Sequence, residues 1–502
     1  MEMNNYTPTI GLEVHAELKT QTKMFCGCKN DPSEQHPNLN VCPVCLGHPG
    51  TLPTINKEAV KLVIRAGLAI GAKINPVTKF DRKNYFYPDL PKGYQISQYD
   101  QPLVLGGELA GVEITRIHLE EDAGKLLHGS NLPHNDNNHN NDESSYRHGQ
   151  SSSYSLVDYN RTGVPLMELV TEPVIKSAAQ AVAFAKEYQL LLRYIGVSDA
   201  DLERGQMRFD ANVSLSATDK LGTRSEIKNL NSFAALEAAV NYEIKRQAEV
   251  LDSGKEVHQE TRGWDPVKLA TKSQRSKEEA HDYRYFPEPD LPSFETKEFD
   301  IERLRAEMPE LPEAKRRRFA REFGLSSAQA DSLVADKSLA DFFESAVSEL
   351  ATRDELSTSK IEKRPQELLY NYLTSDLAGL MNETGVPFGE IKINPEELAH
   401  LVDLIADGKI MSRQAKDILR KMFETGEDPE TILEAEGLHT VSDEGELEGT
   451  VREVIAENPA AVADYKKGKA ASLQFLIGKG MSKLKGKGNP GVLKQLFEKE
   501  LS

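Results

Sequence analysis

Thr9-Ile10-Gly11-Leu12-Glu13-Val14-His15-Ala16-Glu17-Leu18 alternates apolar and polar residues with a period of two, the pattern of a half-buried β-strand. Ile10, Leu12, Val14, Ala16 and Leu18 share one face, and Glu13, His15 and Glu17 share the other. Arg208 to Leu215 repeats the pattern, with Phe209, Ala211, Val213 and Leu215 inward and Arg208, Asp210, Asn212 and Ser214 outward. Helices intervene. Ser177-Ala178-Ala179-Gln180 reads as a capping box, and Gly196 stops the helix it opens. A second helix is predicted from about Ser232 to Gly254, with Leu236, Val240, Ile244 and Leu251 at helical spacing. Strands and helices in this irregular order predict an α+β fold with a mixed sheet rather than a βαβ array.

Strand-like alternation ends near residue 295. From about Phe299 helix formers take over, punctuated by Pro309, Pro312 and Gly324, with a basic turn at Arg316, Arg317, Arg318 and Arg321. Three domains are expected: a mixed-sheet domain over 1–295, an all-α domain over 296–408 and a small helical tail over 409–502. The tail carries Lys466, Lys467, Lys469, Lys479, Lys483, Lys485 and Lys487 with few acids close by in sequence. The whole chain is nonetheless acidic, since 61 Lys+Arg against 79 Asp+Glu give a net charge of −18. That balance excludes a protein coated in basic charge, so nucleic-acid contact must come from local patches and DNA is not an expected partner. No apolar run approaches the ~18 residues of a membrane span. The opening Met1-Glu2-Met3-Asn4-Asn5 lacks the basic-then-apolar pattern of a secretory signal. All four cysteines lie between Cys26 and Cys45, unlike a secreted disulfide scaffold, so a reducing, cytoplasmic setting is expected. Residues 128–155, rich in Asn, His and Ser, read as a flexible solvated insertion.

Two constellations point to metal chemistry. Cys26-Gly27-Cys28 and Cys42-Pro43-Val44-Cys45 are two thiol pairs separated by 13 residues. Four thiolates suit one structural zinc ion in a closed tetrahedron, with an iron–sulfur cluster as the rival occupant. The second constellation is Glu13, His15 and Glu17 together with His118, Glu120, Glu121 and Asp122. Crowded carboxylates repel unless a cation sits among them, and Mg²⁺ prefers carboxylate oxygens, water and phosphate. A strand cannot aim Glu120 and Glu121 the same way, and the residues alone do not say which one faces the cluster. Lys79-Phe80-Asp81-Arg82-Lys83-Asn84-Tyr85-Phe86-Tyr87 interleaves cations with aromatics, which suits phosphate contact and base stacking or an aromatic core edge flanked by surface charge. No P-loop is present. Gly486 to Gly491 matches G-x-G-x-x-G but follows a lysine run rather than a strand, so it is no dinucleotide site.

Six strings resemble one family: Ile10 to Leu18, Lys79 to Pro88, Tyr94 to Gln98, His118 to Lys125, Leu230 to Phe233 and Asp282 to Asp290. They are similar to the B-subunit family of aspartyl/glutamyl-tRNA amidotransferases, densely over 9–292 and more thinly to the end. The resemblance implies a cradle domain followed by a helical domain and a tail that contacts tRNA. It implies ATP-dependent transamidation of misacylated Asp-tRNA(Asn) or Glu-tRNA(Gln), in which the side-chain carboxylate is phosphorylated and ammonia displaces the phosphate. The ammonia would come through a tunnel from a glutamine-hydrolysing amidase partner, the A-subunit, with a small third partner, the C-subunit, making up a heterotrimer. By the same resemblance His15, Glu121 and Glu168 would bind Mg²⁺, and Glu13, Lys83 and Asp210 would serve the reacting centre. Lys466, Lys467, Lys483, Lys485 and Lys487 would contact tRNA. An archaeal-type relative carries an extra inserted domain, for which 502 residues leave no room. The alternative of another class is a zinc-stabilised tRNA-binding adaptor with no chemistry of its own.

Overall fold

A computed structural model describes residues 6–128, 155–276, 283–353, 364–437, 444–484 and 488–501. It divides into two compact units, 1–311 and 312–502.

The alternating stretch at the N-terminus forms the strand Thr7–Glu17, and its echo forms the strand Met207–Ser216 directly beside it. Both lie in the middle of a ten-stranded sheet. From one edge the order runs Ala270–Ser276, Glu260–Asp265, Ser225–Leu230, Met207–Ser216, Thr7–Glu17, Pro165–Thr171, Val112–Glu121, Val104–Leu105 and Lys73–Ile74, with Glu108–Leu109 paired to the side. Among the described strands only Ser225–Leu230 and Glu260–Asp265 run parallel, so the sheet is mixed as expected. A smaller sheet joins Asp81–Asn84 to Tyr94–Ser97 and to Phe286–Pro287.

The apolar face of the large sheet is buried. Ile10, Leu12, Val14 and Ala16 pack in one core with Phe184 and Tyr188 of the helix Ala178–Tyr194 and with Leu236 and Val240 of the helix Phe233–Asp252. Each fully buried Leu, Val or Phe side chain there contributes about 1.5–3 kcal/mol. Both helices start and stop where the sequence says. Ser177 and Ser232 cap them by accepting from the Gln180 and Ala235 N–H groups, at 3.1 and 3.0 Å. The return arm of the box at Ser177 lands one residue early, because Gln180 accepts from the Lys176 N–H at 2.9 Å. Gly196 and Gly254 close the helices at φ +68° and +73°, a left-handed conformation that glycine adopts without strain. With helices on the apolar face, the polar face of the sheet is left open for a site.

The first boundary lies at 311/312 rather than 295. Ile301, Leu304, Met308 and Leu311 still pack against the sheet's core, which holds the helix Ile301–Ala306 to the first unit. In the second unit the array does not break at 408. The helices Pro395–Ala406, Ser412–Thr425 and Pro429–Ala435 pack on one another across that point. A separate core, with Leu447, Val451, Leu476, Leu493 and Phe497 at its centre, is built by the helices from Glu444 onward. The supposed basic turn is the helix Pro312–Phe323, where Arg317 pairs with Glu313 at 2.8 Å and Arg318 with Glu344 at 2.7 Å. Residues 129–154 of the Asn/His/Ser insertion lie outside the described residues; the backbone of His128 pairs with Ser155 at its base. Among the described residues no helix is long and apolar enough to cross a membrane.

Candidate active site

Strand register assembles the site. Arg208 lies opposite His15, His15 opposite Glu168, and Glu168 opposite His118. Directly opposed residues of antiparallel strands point to the same side, so these four make one row across the polar face. Glu120, two residues beyond His118, joins them. His15 Nε2 stands 3.3 Å from Glu168 and 3.5 Å from Glu120, and His118 Nε2 stands 3.4 Å from Glu168. Lys83 Nζ reaches Glu120 at 3.9 Å from the small sheet. The row floors a cleft of about 640 Å³ lined almost wholly by charged and polar side chains.

The charges in this cleft hold one another. Burial works against a charged His15, and so does Arg208, but Glu168 and Glu120 outweigh both and raise its pKa to about 9. Burial likewise opposes the Glu168 carboxylate, yet His118 and His15 hold it well below the usual range. Lys83 is pushed down by burial and held up, above its ordinary value, chiefly by Glu120. Glu13 moves the other way: burial first, then Glu168, Glu226 and Asp210, raise its carboxyl. Glu13 accepts from Asn212 at 3.0 Å, and Asp210 accepts from the Asn229 N–H at 2.8 Å. Lys228 sits among these acids, 2.9 Å from Glu226 and 3.4 Å from Asp210.

Two adjacent glutamates part company here. Glu121 is not beside His15 and Glu168. The pleat turns it to the opposite side of its strand, where it is buried, pairs with Lys92 and accepts from the Ile96 N–H at 3.0 Å. The carboxylate that completes the cluster is that of Glu120, and one donor atom each from His15, Glu120 and Glu168 lies within 4.8 Å of the others. The donor chemistry fits a divalent cation: two carboxylates suit Mg²⁺, with the imidazole as a softer third donor. Among the described residues, His15 Nδ1, His118 Nδ1 and Glu120 Oε2 are buried without a hydrogen-bond partner.

The four cysteines also come together. One sulfur from each of Cys26, Cys28, Cys42 and Cys45 lies within 4.8 Å of the rest, and all four are free thiols. This cluster is able to hold a metal, and four thiols are the donor set of a closed structural zinc site. Cys26 donating to Cys45, helped by the Cys42 N–H and Lys23, outweighs burial and lowers the Cys45 pKa to about 5.

Of the tail lysines, Lys466 and Lys467 are exposed. Lys483 pairs with Glu453 and Glu457, from a helix about thirty residues earlier, at 2.9 and 2.7 Å. Lys485 and Lys487 lie outside the described residues. Three further residues of the cleft, Arg208, Glu226 and Lys228, do not stand out as functional in the sequence. Arg208 does carry a signal, since it shares a polar strand face with Asp210. Glu226 and Lys228 need the neighbouring strand and its register, which no local pattern supplies. Tyr85, Tyr283 and Tyr285 form an aromatic wall of the same cleft, with Lys83 Nζ 5.2 Å from the Tyr283 ring and Tyr99 stacked on Tyr285 at 4.3 Å.

Residues 8–302 match the family described as GatB/GatE catalytic domain, and residues 341–501 match the GatB domain. The chain is also similar along its whole length to proteins named as the B-subunit of aspartyl/glutamyl-tRNA(Asn/Gln) amidotransferase. It is 46% identical over 508 residues to that of Caldanaerobacter subterraneus, covering 99% of each chain. It is 44% identical over 510 residues to that of Carboxydothermus hydrogenoformans and 43% over 510 to that of Brevibacillus brevis, covering 100% of each chain. With the matched catalytic domain spanning the sheet and its cleft, the chain belongs to the GatB family, the B-subunits of aspartyl/glutamyl-tRNA(Asn/Gln) amidotransferases.

Proposed function

We propose that this chain catalyses ATP-dependent amidation of the side-chain carboxylate of Asp-tRNA(Asn), Glu-tRNA(Gln) or both, in a cytoplasmic heterotrimer with a glutaminase and a small third protein. A carboxylate is a poor electrophile at neutral pH. Transfer of the ATP γ-phosphoryl group gives an acyl phosphate, and ammonia from the glutaminase then attacks the acyl carbon and expels phosphate. The observation that carries this reading is the buried group of His15, Glu120 and Glu168 facing Lys83 in a cleft with polar walls. His15, Glu120 and Glu168 would hold Mg²⁺, which offsets phosphate charge when bound. Lys83, held protonated beside Glu120, orients the phosphate or the aminoacyl carboxylate. Glu13, its carboxyl raised by burial and by its acidic neighbours, accepts a proton from the attacking ammonia, and Asp210 with Lys228 fixes that side of the cleft. The test is amide formation on each misacylated tRNA by the reconstituted complex; a complex that forms neither product supports the adaptor alternative. Four thiols in a reducing cytoplasm would take one structural zinc.

Both ATP and the aminoacylated tRNA end carry adenosine, and the tyrosine wall offers stacking faces for it. Tyr99 is 60% exposed while stacked on Tyr285, so its outer face is open. Tyr99→Ala should raise the KM for ATP or for tRNA on the order of tenfold, since a stacked base is worth roughly 1–3 kcal/mol. Separate titrations of the two substrates decide which adenosine uses the wall, and no change in either removes it from the site.

The helices from Glu444 onward would contribute tRNA affinity without chemistry. Removing residues 444–502 should weaken tRNA binding and leave glutamine hydrolysis by the partner glutaminase intact. Lys466→Gln with Lys467→Gln should flatten the salt dependence of binding by about one for each phosphate no longer neutralised. Unchanged affinity and salt slope would contradict the assignment.

A further inference from the structure

Lys23 lies between the first strand and the cysteine loop, at the head of the apolar pair Met24-Phe25, and is 0% exposed. A buried ammonium demands a nearby anion, because desolvating an unpaired charge is strongly unfavourable. Lys315 shows the ordinary solution: that lysine is also buried, and Asp341 and Glu344 meet it at 2.6 and 3.1 Å. Among the described residues no carboxylate comes within ion-pair distance of Lys23. Its Nζ donates to the Asn40 and Tyr159 carbonyls at 2.6 and 3.3 Å, and its remaining close neighbour is Cys45 Sγ at 4.0 Å. Lys92, which lines a small cavity with Cys26 and Cys45, is already paired with Glu121. Among the described residues, the candidate anion for Lys23 is therefore the cysteine cluster.

A divalent cation held by four thiolates carries a net charge of −2, in a partly buried setting where that charge is poorly solvated. We propose that Lys23 is the built-in counter-ion of a tetrathiolate metal centre at Cys26, Cys28, Cys42 and Cys45, and that it favours the loaded, fully deprotonated cluster over the free thiols. The inference rests on the reading of the cluster as a zinc site. Lys23 acts as a positioning residue in a second way. Asn40 lies two residues before Cys42, and Tyr159 opens the segment whose Gly163 and Val164 exchange backbone hydrogen bonds with Asp122 at 2.9 Å each, at the end of the strand that carries Glu120. The ammonium thus joins the metal loop to the backbone bordering the cleft.

The experiment compares full-length wild type, Lys23→Met and Lys23→Gln, the last keeping an N–H donor for the carbonyls without the charge. Zinc content, competition against a chromophoric chelator, and melting of the zinc-loaded and zinc-stripped proteins are read for each. Both variants should lose zinc affinity by about tenfold or more, a conservative figure for a unit charge 4 Å away at an effective dielectric of ~20. Both should also destabilise the loaded protein more than the stripped one. If either folded variant holds zinc as tightly as wild type, the counter-ion role is overturned. Equal destabilisation of loaded and stripped protein also overturns it, leaving only the carbonyl hydrogen bonds. A wild type that binds no zinc at all removes the metal reading itself, and that result is distinct from the other two.

Discussion

Glu120→Gln should lower amide formation on misacylated tRNA by ~10³-fold or more in the assembled amidotransferase, the scale expected when a metal ligand leaves a phosphoryl-transfer site. The substitution keeps size and hydrogen-bonding reach and deletes one charge. His15 and His118 keep their contacts with Glu168, at 3.3 and 3.4 Å, so the strand row survives. Glu120 is 1% exposed, however, and Lys83 loses its carboxylate, so some loss of stability accompanies the lost chemistry. Glu121→Gln is the informative companion. It unpairs Lys92 on the opposite side of the strand, which should cost about 3–5 kcal/mol as a broken buried pair and show in the melting temperature. Its amide formation should stay measurable once the protein is folded. The paired readouts are tRNA-dependent ATP hydrolysis and tRNA binding. Parent-rate amide formation by Glu120→Gln with normal tRNA binding would sink the assignment. Loss confined to Glu121→Gln would return the ligand to the position the family resemblance implies.

That reversal between adjacent glutamates shows where sequence reading runs out. A period of two is a local property, and it separates Glu13 and His15 from Val14 correctly. It also puts Arg208 and Asp210 on one polar face, as the register with His15 and Glu13 bears out. Deciding between Glu120 and Glu121 requires knowing which side of their strand meets Glu168, and that depends on pairing between His118 and Glu168, fifty residues apart. The same non-local gap explains Lys483, which looks unpaired in sequence because its acids lie on another helix. It explains the boundary as well: Ile301, Leu304 and Met308 have helical texture whichever core they join, and only packing assigns them to the sheet. The thiol pairs need no such information. Their close spacing limits where four sulfurs can go, and the structure gathers all four.

Metal analysis of the purified protein should give about one zinc per chain, and Cys42→Ser should both lower that content and destabilise the first unit. The argument is one of scale. Closed tetrathiolate and related zinc sites contribute apparent binding free energies of roughly 10–16 kcal/mol at neutral pH. A domain's whole stability is about 5–15 kcal/mol, so losing even a third of the metal term is a large effect. Met24 and Phe25 pin the start of the loop between Thr20 and Asn56 in the sheet's core, but Cys26, Cys28 and Cys42 are only partly buried, and its regular structure among the described residues is one isolated bridge from Thr22 to Lys29. Stripping the metal should therefore free that loop first, making it sensitive to protease while the sheet core persists. Glu121 and Lys92 share a small cavity with Cys26 and Cys45, so the disturbance reaches the strand that carries Glu120. Limited proteolysis with and without chelator, read against tRNA-dependent ATP hydrolysis, measures both ends of that connection. A protein that holds no zinc, titrates four free thiols and melts as Cys42→Ser does would show that the cluster staples nothing.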